Sequence, residues 1–360
     1  MFSSYSWGVA FQNSLMKNKN HTLKSIASTL NLSVTTISFV LNGKGKEKKI
    51  SNEVIKKVLD YVESINFRPN QVAQSLRTGK TKILVFMVED ISNYFFAKIA
   101  RIIEDLAYDK GYRVLFCSNE NDDTRSRDLI HLFYERQVDG FIIIPSPGIK
   151  DEIEMLIKNN IPVVLFDRYF EDLDTSYVVI DNRNAARKAT QHLIDNDFKR
   201  IGFITIESQQ NQMINRQKGY IEAMENSGLK TKILEIPFRK IEDQNTKKTI
   251  KKFLMEGKEL DSVFFATNYL TRTALEIIKE VDQSLFEELG IVTFDDNDLF
   301  KINTPTITAV AQPLKQIGEE LMNIMLNLLR EEKEQNGTQN IVLNSELIIR
   351  NSSIRKNSVK

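Results

Sequence analysis

A single cysteine, Cys117, in 360 residues leaves no internal disulfide to staple the fold and gives no sign of an oxidising compartment. It is expected to pack in a strand. No run of about 18 apolar residues occurs, which excludes a membrane-spanning helix. The opening MFSSYSWGVAFQNSL has neither a basic start nor an apolar stretch, so a cytoplasmic rather than a secreted chain is expected. It also has no helical period, and residues 1–20 are expected to be a disordered extension, with Met16 an alternative start. Catalytic signatures are missing as well. The histidines His21, His131 and His192 stand at no metal-ligand spacing, G-x-S-x-G is absent, and DDND at 295–298 lacks the glycine and the alternation of a calcium loop. GKT at 79–81 fails as a phosphate loop, because Gln74 stands where a glycine is needed and the segment follows a helical pattern rather than a strand. No enzymatic activity, metal or cofactor is expected.

The composition, 41% hydrophobic and 27% charged, is that of an ordinary globular protein with a sizeable core, and the length suits two or three domains. The net charge of +1 conceals an asymmetry. Through Lys82 there are 13 basic residues against 4 acidic, whereas the remainder has 36 against 44. A cationic head on an anionic body points to a polyanionic partner for the head.

In HTLKSIASTLNLSVTTISFVLNGK, Leu23, Ile26, Ala27 and Leu30 fall on one helical face, and Asn31 can stop the helix. Ser33 is placed to cap a second helix whose buried side is Ile37, Val40 and Leu41. A third helix starts at Ser51 with the stripe Val54, Val58, Val62 and Ile65, and it ends before Pro69. Two short helices joined by about three residues make a helix-turn-helix, the unit whose second helix enters the major groove. A solvated helix would carry Glu and Lys on its outer face. This one carries short hydrogen-bonding side chains suited to phosphates and base edges.

TLKSIASTLNLSVTTISFVLNG followed by FRPNQVAQSLRTGKT resembles the DNA-binding end of the lactose-repressor (LacI/GalR) family of bacterial transcription regulators, and the resemblance continues to about residue 350. It implies that Thr22, Ser33, Thr36, Ser38 and Asn42 hold phosphates and that Val34 and Thr35 read bases. Phe39 stands where the family usually has an arginine, and Ser25 where it has an aspartate. Residues 70–77 then correspond to a hinge helix that folds only when two copies meet in the minor groove, with Asn70, Ala73 and Gln74 along the groove and the helix pair and Leu76 wedged into a base step.

Behind the head, β-rich runs alternate with helical stretches in two sets, the first from ILVFMVE to PVVLFD and the second from VVID to GIVTFD. Such alternation means parallel sheets covered by helices, and two sets mean two similar lobes. A crossing near 303–315 is expected to return the chain to the first lobe, and NIVLNSELIIR is expected to be the last strand. Ligands of open parallel sheets bind beyond the strands' carboxyl ends, where Asn93, Phe95, Phe96, Asp167, Arg168, Asp295 and Asp296 fall, with Arg216 near the start of a helix. Aromatic rings with fixed carboxylates and an arginine suit a polyhydroxylated sugar. In the family, ligands are held at positions matching Phe95, Phe96, Asp167, Arg216, Asp295 and Gln312. Thr267 and Asn268 depart from its usual Asn-Asp.

The expected architecture is therefore α/β: a three-helix helix-turn-helix domain (21–69), a hinge helix and linker (70–81), a two-lobed effector domain of the type I periplasmic-binding-protein kind with parallel sheets (82–350), and a polar tail (351–360). The resemblance implies a homodimeric regulator on a pseudo-palindromic operator in double-stranded DNA, under control of a small carbohydrate effector. A sugar transport receptor is the rival, since the body alone would serve; the basic head speaks against it.

Overall fold

The computed structural model describes residues 21–67, 75, 78–238, 243–255, 259–281, 283–330 and 337–355. The chain forms two compact units, Met1–Thr81 and Lys82–Lys360. The expected extension 1–20 and the hinge positions Asn70, Ala73, Gln74 and Leu76 lie outside the described residues.

In the first unit α1 (Leu23–Leu30), α2 (Val34–Leu41) and α3 (Asn52–Ser64) surround a small core of Ile26, Ala27, Leu30, Ile37, Val40 and Val58. Local chemistry sets each boundary. Thr22 caps α1 reciprocally with Ser25: the Ser25 N–H donates to Thr22 Oγ1 at 3.1 Å and the Thr22 N–H donates to Ser25 Oγ at 2.9 Å. Asn31 then ends α1 in the left-handed conformation, φ 55°, which asparagine tolerates better than most residues. Ser33 accepts from the Thr36 N–H and Ser51 from the Val54 N–H, so the three helices start on side-chain caps that satisfy otherwise orphaned donors.

The second unit holds two six-stranded sheets. The first combines β1 (Ile83–Val88), β2 (Arg113–Ser118), β3 (Gly140–Ile143), β4 (Val163–Phe166) and β5 (Ser176–Ile180) with β11 (Asn340–Leu343), in the order β11-β5-β4-β3-β1-β2. The second combines β6 (Ile201–Glu207), β7 (Lys232–Pro237), β8 (Ser262–Phe265), β9 (Gly290–Phe294) and β10 (Thr308–Ala311) with β12 (Glu346–Ile348), in the order β12-β10-β9-β8-β6-β7. All neighbours are parallel except β10 and β12. The apolar runs of β1, β3 and β4 are continuous because these inner strands are buried on both faces, whereas the edge strand β2 leaves Leu115 and Phe116 exposed. Along β1, Leu84, Phe86 and Val88 join one core, while Val85 and Met87 join the other. Around the first sheet lie α4 (Tyr94–Asp109), α5 (Asp123–Glu135) and α6 (Lys150–Lys158). The second sheet is accompanied by α7 (Asn182–Asp195), α8 (Asn211–Asn226), α9 (Gln244–Met255) and α10 (Asn268–Val281). α7 and α8 approach unusually closely: a Cβ on Gly219 would lie 2.1 Å from the Arg183 carbonyl oxygen, so only glycine fits there.

Three expectations change. VVID does not open the second set; its Val178–Ile180 end β5, the fifth strand of the first sheet, reached from β4 without an intervening helix, and Asp181 caps the helix that follows. NIVLNSELIIR is two strands, β11 and β12, one added to each sheet, because the chain crosses between lobes at 344–345. The polar tail begins later than 351, since Asn351–Ser353 make a helical turn in which the Ser352 hydroxyl donates to the Ile291 carbonyl at 2.6 Å. The return near 303–315 is present: after β10, α11 (Leu314–Leu328) packs on α4 and the first sheet.

Candidate functional site

In the first unit the outer face of α2 is built by default, from what the core does not take. Ile37 and Val40 are buried, so Val34, Thr35, Ser38, Phe39 and Asn42 line up along the opposite side. Val34 keeps 40% of its surface exposed, a high value for an apolar side chain. Two of the polar groups already have partners within the domain: Thr36 Oγ1 lies 2.8 Å from the Ser33 hydroxyl, and Asn42 Nδ2 donates to the Ser38 carbonyl at 2.7 Å. Phe39 is half-buried, with Lys48 Nζ 5.7 Å from its ring centre. Ser25, the position that departs from the usual aspartate, closes the α1 cap and thereby engages Thr22.

In the second unit the carboxyl ends of both sheets meet in a cleft. Its inner chamber is lined by Glu89, Asn93, Phe95, Phe96, Asp167 and Arg168 from the first lobe, and by Ile206, Gln212, Met213, Arg216, Thr267, Tyr269 and Asp295 from the second. Five of the six expected ligand residues are thus brought together. The sixth, Gln312, does not line the chamber but donates from Nε2 to Asp295 Oδ1 at 2.6 Å. Two aspartates occupy equivalent places. Asp167 follows β4 and Asp295 follows β9, with φ of 65° and 67°. The left-handed turn re-aims the chain, so the next residue leaves in another direction. Asp296 is accordingly held in a bidentate pair by Arg350, with both contacts at 2.8 Å, and is not part of the chamber.

Both arginines are nearly fully buried and held by protein acceptors. Arg216 donates from Nε to Asn182 Oδ1 at 2.8 Å and from Nη1 to the Ala266 carbonyl at 2.7 Å. Its guanidinium carbon lies 3.6 Å from the Phe294 ring centre, and Nη1 stands 3.9 Å from Asp295 Oδ2. Arg168 donates from Nη2 to Glu89 Oε2 at 2.5 Å and from Nη1 to Asn121 Oδ1 at 2.8 Å. Burial pushes the Asp295 carboxyl above its ordinary range, against the pull of Arg216 and Gln312, and the Asp167 charge adds to the rise. Burial likewise raises the Tyr269 phenol, helped by Glu89. Gln212 Oε1 has no hydrogen-bond partner among the described residues and belongs to a residue that lines the chamber.

Sequence reasoning did not select Glu89, Gln212 or Tyr269 as ligand residues. Glu89 was within reach, since it directly follows β1, a strand end where such ligands bind. The lobes touch across the cleft through Asn268 Nδ2 to Asn93 Oδ1 (3.2 Å), Gln210 Nε2 to Asn121 Oδ1 (2.8 Å) and the Tyr94 hydroxyl to Asp298 Oδ2 (3.1 Å). In this arrangement the inner chamber has a free volume of about 30 Å³ and is continuous in its lining with the mouth beside it, which is bordered by Asp90, Phe238 and Arg272 among others and holds about 590 Å³. Among the described residues no group of acidic, His and Cys side chains could hold a metal ion, and no helix is long and apolar enough to cross a membrane.

Residues 80–351 match the family described as periplasmic binding proteins and sugar binding domain of LacI family, and residues 22–70 match the bacterial regulatory proteins, lacI family. The HTH-type transcriptional regulator RegA of Clostridium saccharobutylicum is 30% identical over 334 residues, 92% of this chain and 99% of the relative. The structure of a putative ribose operon repressor from Burkholderia thailandensis superposes with a TM-score of 0.65 at 26% identity, covering 74% of this chain and 98% of that one. The lac repressor dimer bound to operator and the anti-inducer ONPF superposes with a TM-score of 0.79 at 18% identity, covering 93% of this chain and all of that one, which is a likeness of fold.

Proposed function

The chain belongs to the LacI family of bacterial regulatory proteins and is a DNA-binding transcriptional regulator, and from that premise we propose that it is a homodimeric repressor whose grip on a pseudo-palindromic operator is set by a small carbohydrate held between its lobes. The observation that carries the effector reading is the inner chamber. It sets Phe95, Phe96 and Tyr269 beside Asp167, Asp295, Arg216 and Gln212. Rings cover the apolar face of a sugar, while carboxylates and the Gln212 oxygen accept from its hydroxyls. A chamber of about 30 Å³ has room for a water or two. A monosaccharide therefore enters only when the lobes part and the cross-cleft hydrogen bonds open.

On the head, Val34 and Thr35 are the base readers, with Thr22, Ser33, Thr36, Ser38 and Asn42 on phosphates. Asn70, Ala73 and Leu76 complete the contact in the minor groove, where Leu76 is the wedge. Phe39 meets a thymine methyl rather than gripping guanine as an arginine would, so the operator lacks a guanine requirement opposite residue 39. Effector and operator are coupled reciprocally, typically by about 1–3 kcal/mol. The test is a thermal-unfolding screen of the full chain with neutral sugars, sugar phosphates and nucleobases. A neutral sugar at a hundred times its Kd should stabilise the fold by about 2.7 kcal/mol. Stabilisation by nucleobases alone would remove the carbohydrate reading.

A further inference from the structure

The reading helix carries no charge. From Ser33 through Asn42 there is no Lys, Arg, Asp or Glu. Duplex binding nonetheless draws much of its strength from cations that displace the counterions condensed on phosphates, so the cations must come from elsewhere. The described lysines of the first unit are Lys24, Lys44, Lys46, Lys48, Lys49, Lys56, Lys57 and Lys80. Four of these fall within six positions of the connection between α2 and α3, all four exposed.

That connection is a built turn rather than a loose loop. The Lys48 N–H donates to the Lys44 carbonyl at 3.0 Å, Lys49 to Lys46 at 3.0 Å, and Ile50 to Gly45 at 2.9 Å. Lys49 is left-handed, φ 56°. Gly45 is buried in the middle, where a Cβ would stand 2.8 Å from Ile55 Cδ1, so the turn is pressed against α3. Its start is tied to α2 by the Lys44 N–H donating to the Phe39 carbonyl at 2.9 Å, and Lys48 lies over the Phe39 ring. The lysines therefore extend the exposed stripe of α2 at its carboxyl end. Glu47 is the turn's sole acid and pairs with Lys48 at the surface, a contact worth little in water. The unit's other described acids, Glu53, Asp60 and Glu63, lie on α3.

We propose that residues 43–49 form a phosphate clamp, a DNA contact surface beside α2 that grips the duplex backbone irrespective of sequence and supplies the electrostatic affinity that α2 lacks. The clamp rests on the DNA-binding function of the head and adds a place and a role to it. Its test uses the full chain and a random-sequence duplex, with affinity followed by fluorescence anisotropy across a range of salt. In the variant K44Q/K46Q/K48Q/K49Q the slope of log K against log salt should flatten by about 0.9 for each phosphate no longer neutralised, at least about 2 in all. Affinity at low salt should fall tenfold or more, with circular dichroism unchanged. Lys56→Gln on α3 should move the slope by less than one such step. A steep wild-type slope that survives in the quadruple variant overturns the clamp and leaves the DNA-binding head intact. A wild-type chain without salt dependence overturns both.

Discussion

The two lobes of the second unit share one strand order and place an aspartate in the same left-handed position at the end of the fourth strand, yet they surround it differently. In the first lobe Asp167 stands beside Arg168, whose guanidinium turns to Glu89 on the neighbouring edge of the cleft. In the second lobe Asp295 is met by Gln312 and faced by Arg216, which arrives from a helix instead of from the adjacent residue. A duplicated scaffold fixes where carboxylates can stand. The helices and crossings decide what each one is paired with.

The comparison can be tested most severely at the arginines. Arg216→Ala leaves Asp295 and Asn182 buried with fewer partners and should cost about 3–5 kcal/mol in denaturant unfolding. Arg168→Ala strands Glu89 in the same way and should cost about as much. Because one core cluster runs through both lobes, both variants should shift a single transition; two separate transitions would show that the lobes fold independently. A smaller effect is expected at the glycines. A Cβ at Gly219 meets backbone, the Arg183 carbonyl oxygen, so Gly219→Ala should cost about 1–3 kcal/mol. Its counterpart Gly318→Ala in the first lobe meets the Ile102 side chain at 2.5 Å, which can yield, and its thermal midpoint should fall less. The smallest effect is in pH. Because burial raises the Asp295 pKa above the ordinary 3.8, ionising this group opposes folding, and its contribution to stability declines as pH climbs from 3.8 through the folded value. Asp295→Asn should flatten that part of the stability profile; an unchanged profile would mean that the carboxyl is not held in the way described.

Much of this was legible in the sequence because strands buried on both faces read as unbroken apolar runs and helix starts carry Ser, Thr or Asn caps. β5 was misread for a physical reason: β4 reaches it through a connection without a helix, so the alternation that marks each unit skipped a beat. The final strands were merged because the crossing between them is two residues long. In the cleft, neighbouring aspartates look alike in sequence. Which of Asp295 and Asp296 turns inward depends on a backbone angle, φ 67° at Asp295, and on Arg350, which claims Asp296 from 54 residues away. Glu89 lay in plain sight at a strand end, but nothing local announced that its partner would be Arg168.

If the proposed sugar sits in this chamber, whose free volume is about 30 Å³ between the lobes as they stand, the narrowness of the chamber sets the tempo of the response as well as its chemistry. On the proposed function a sugar waits for the two halves to swing apart, and the observed association rate should then climb with ligand concentration and level off at the opening frequency. Beyond that plateau, extra ligand makes the switch fuller but no faster.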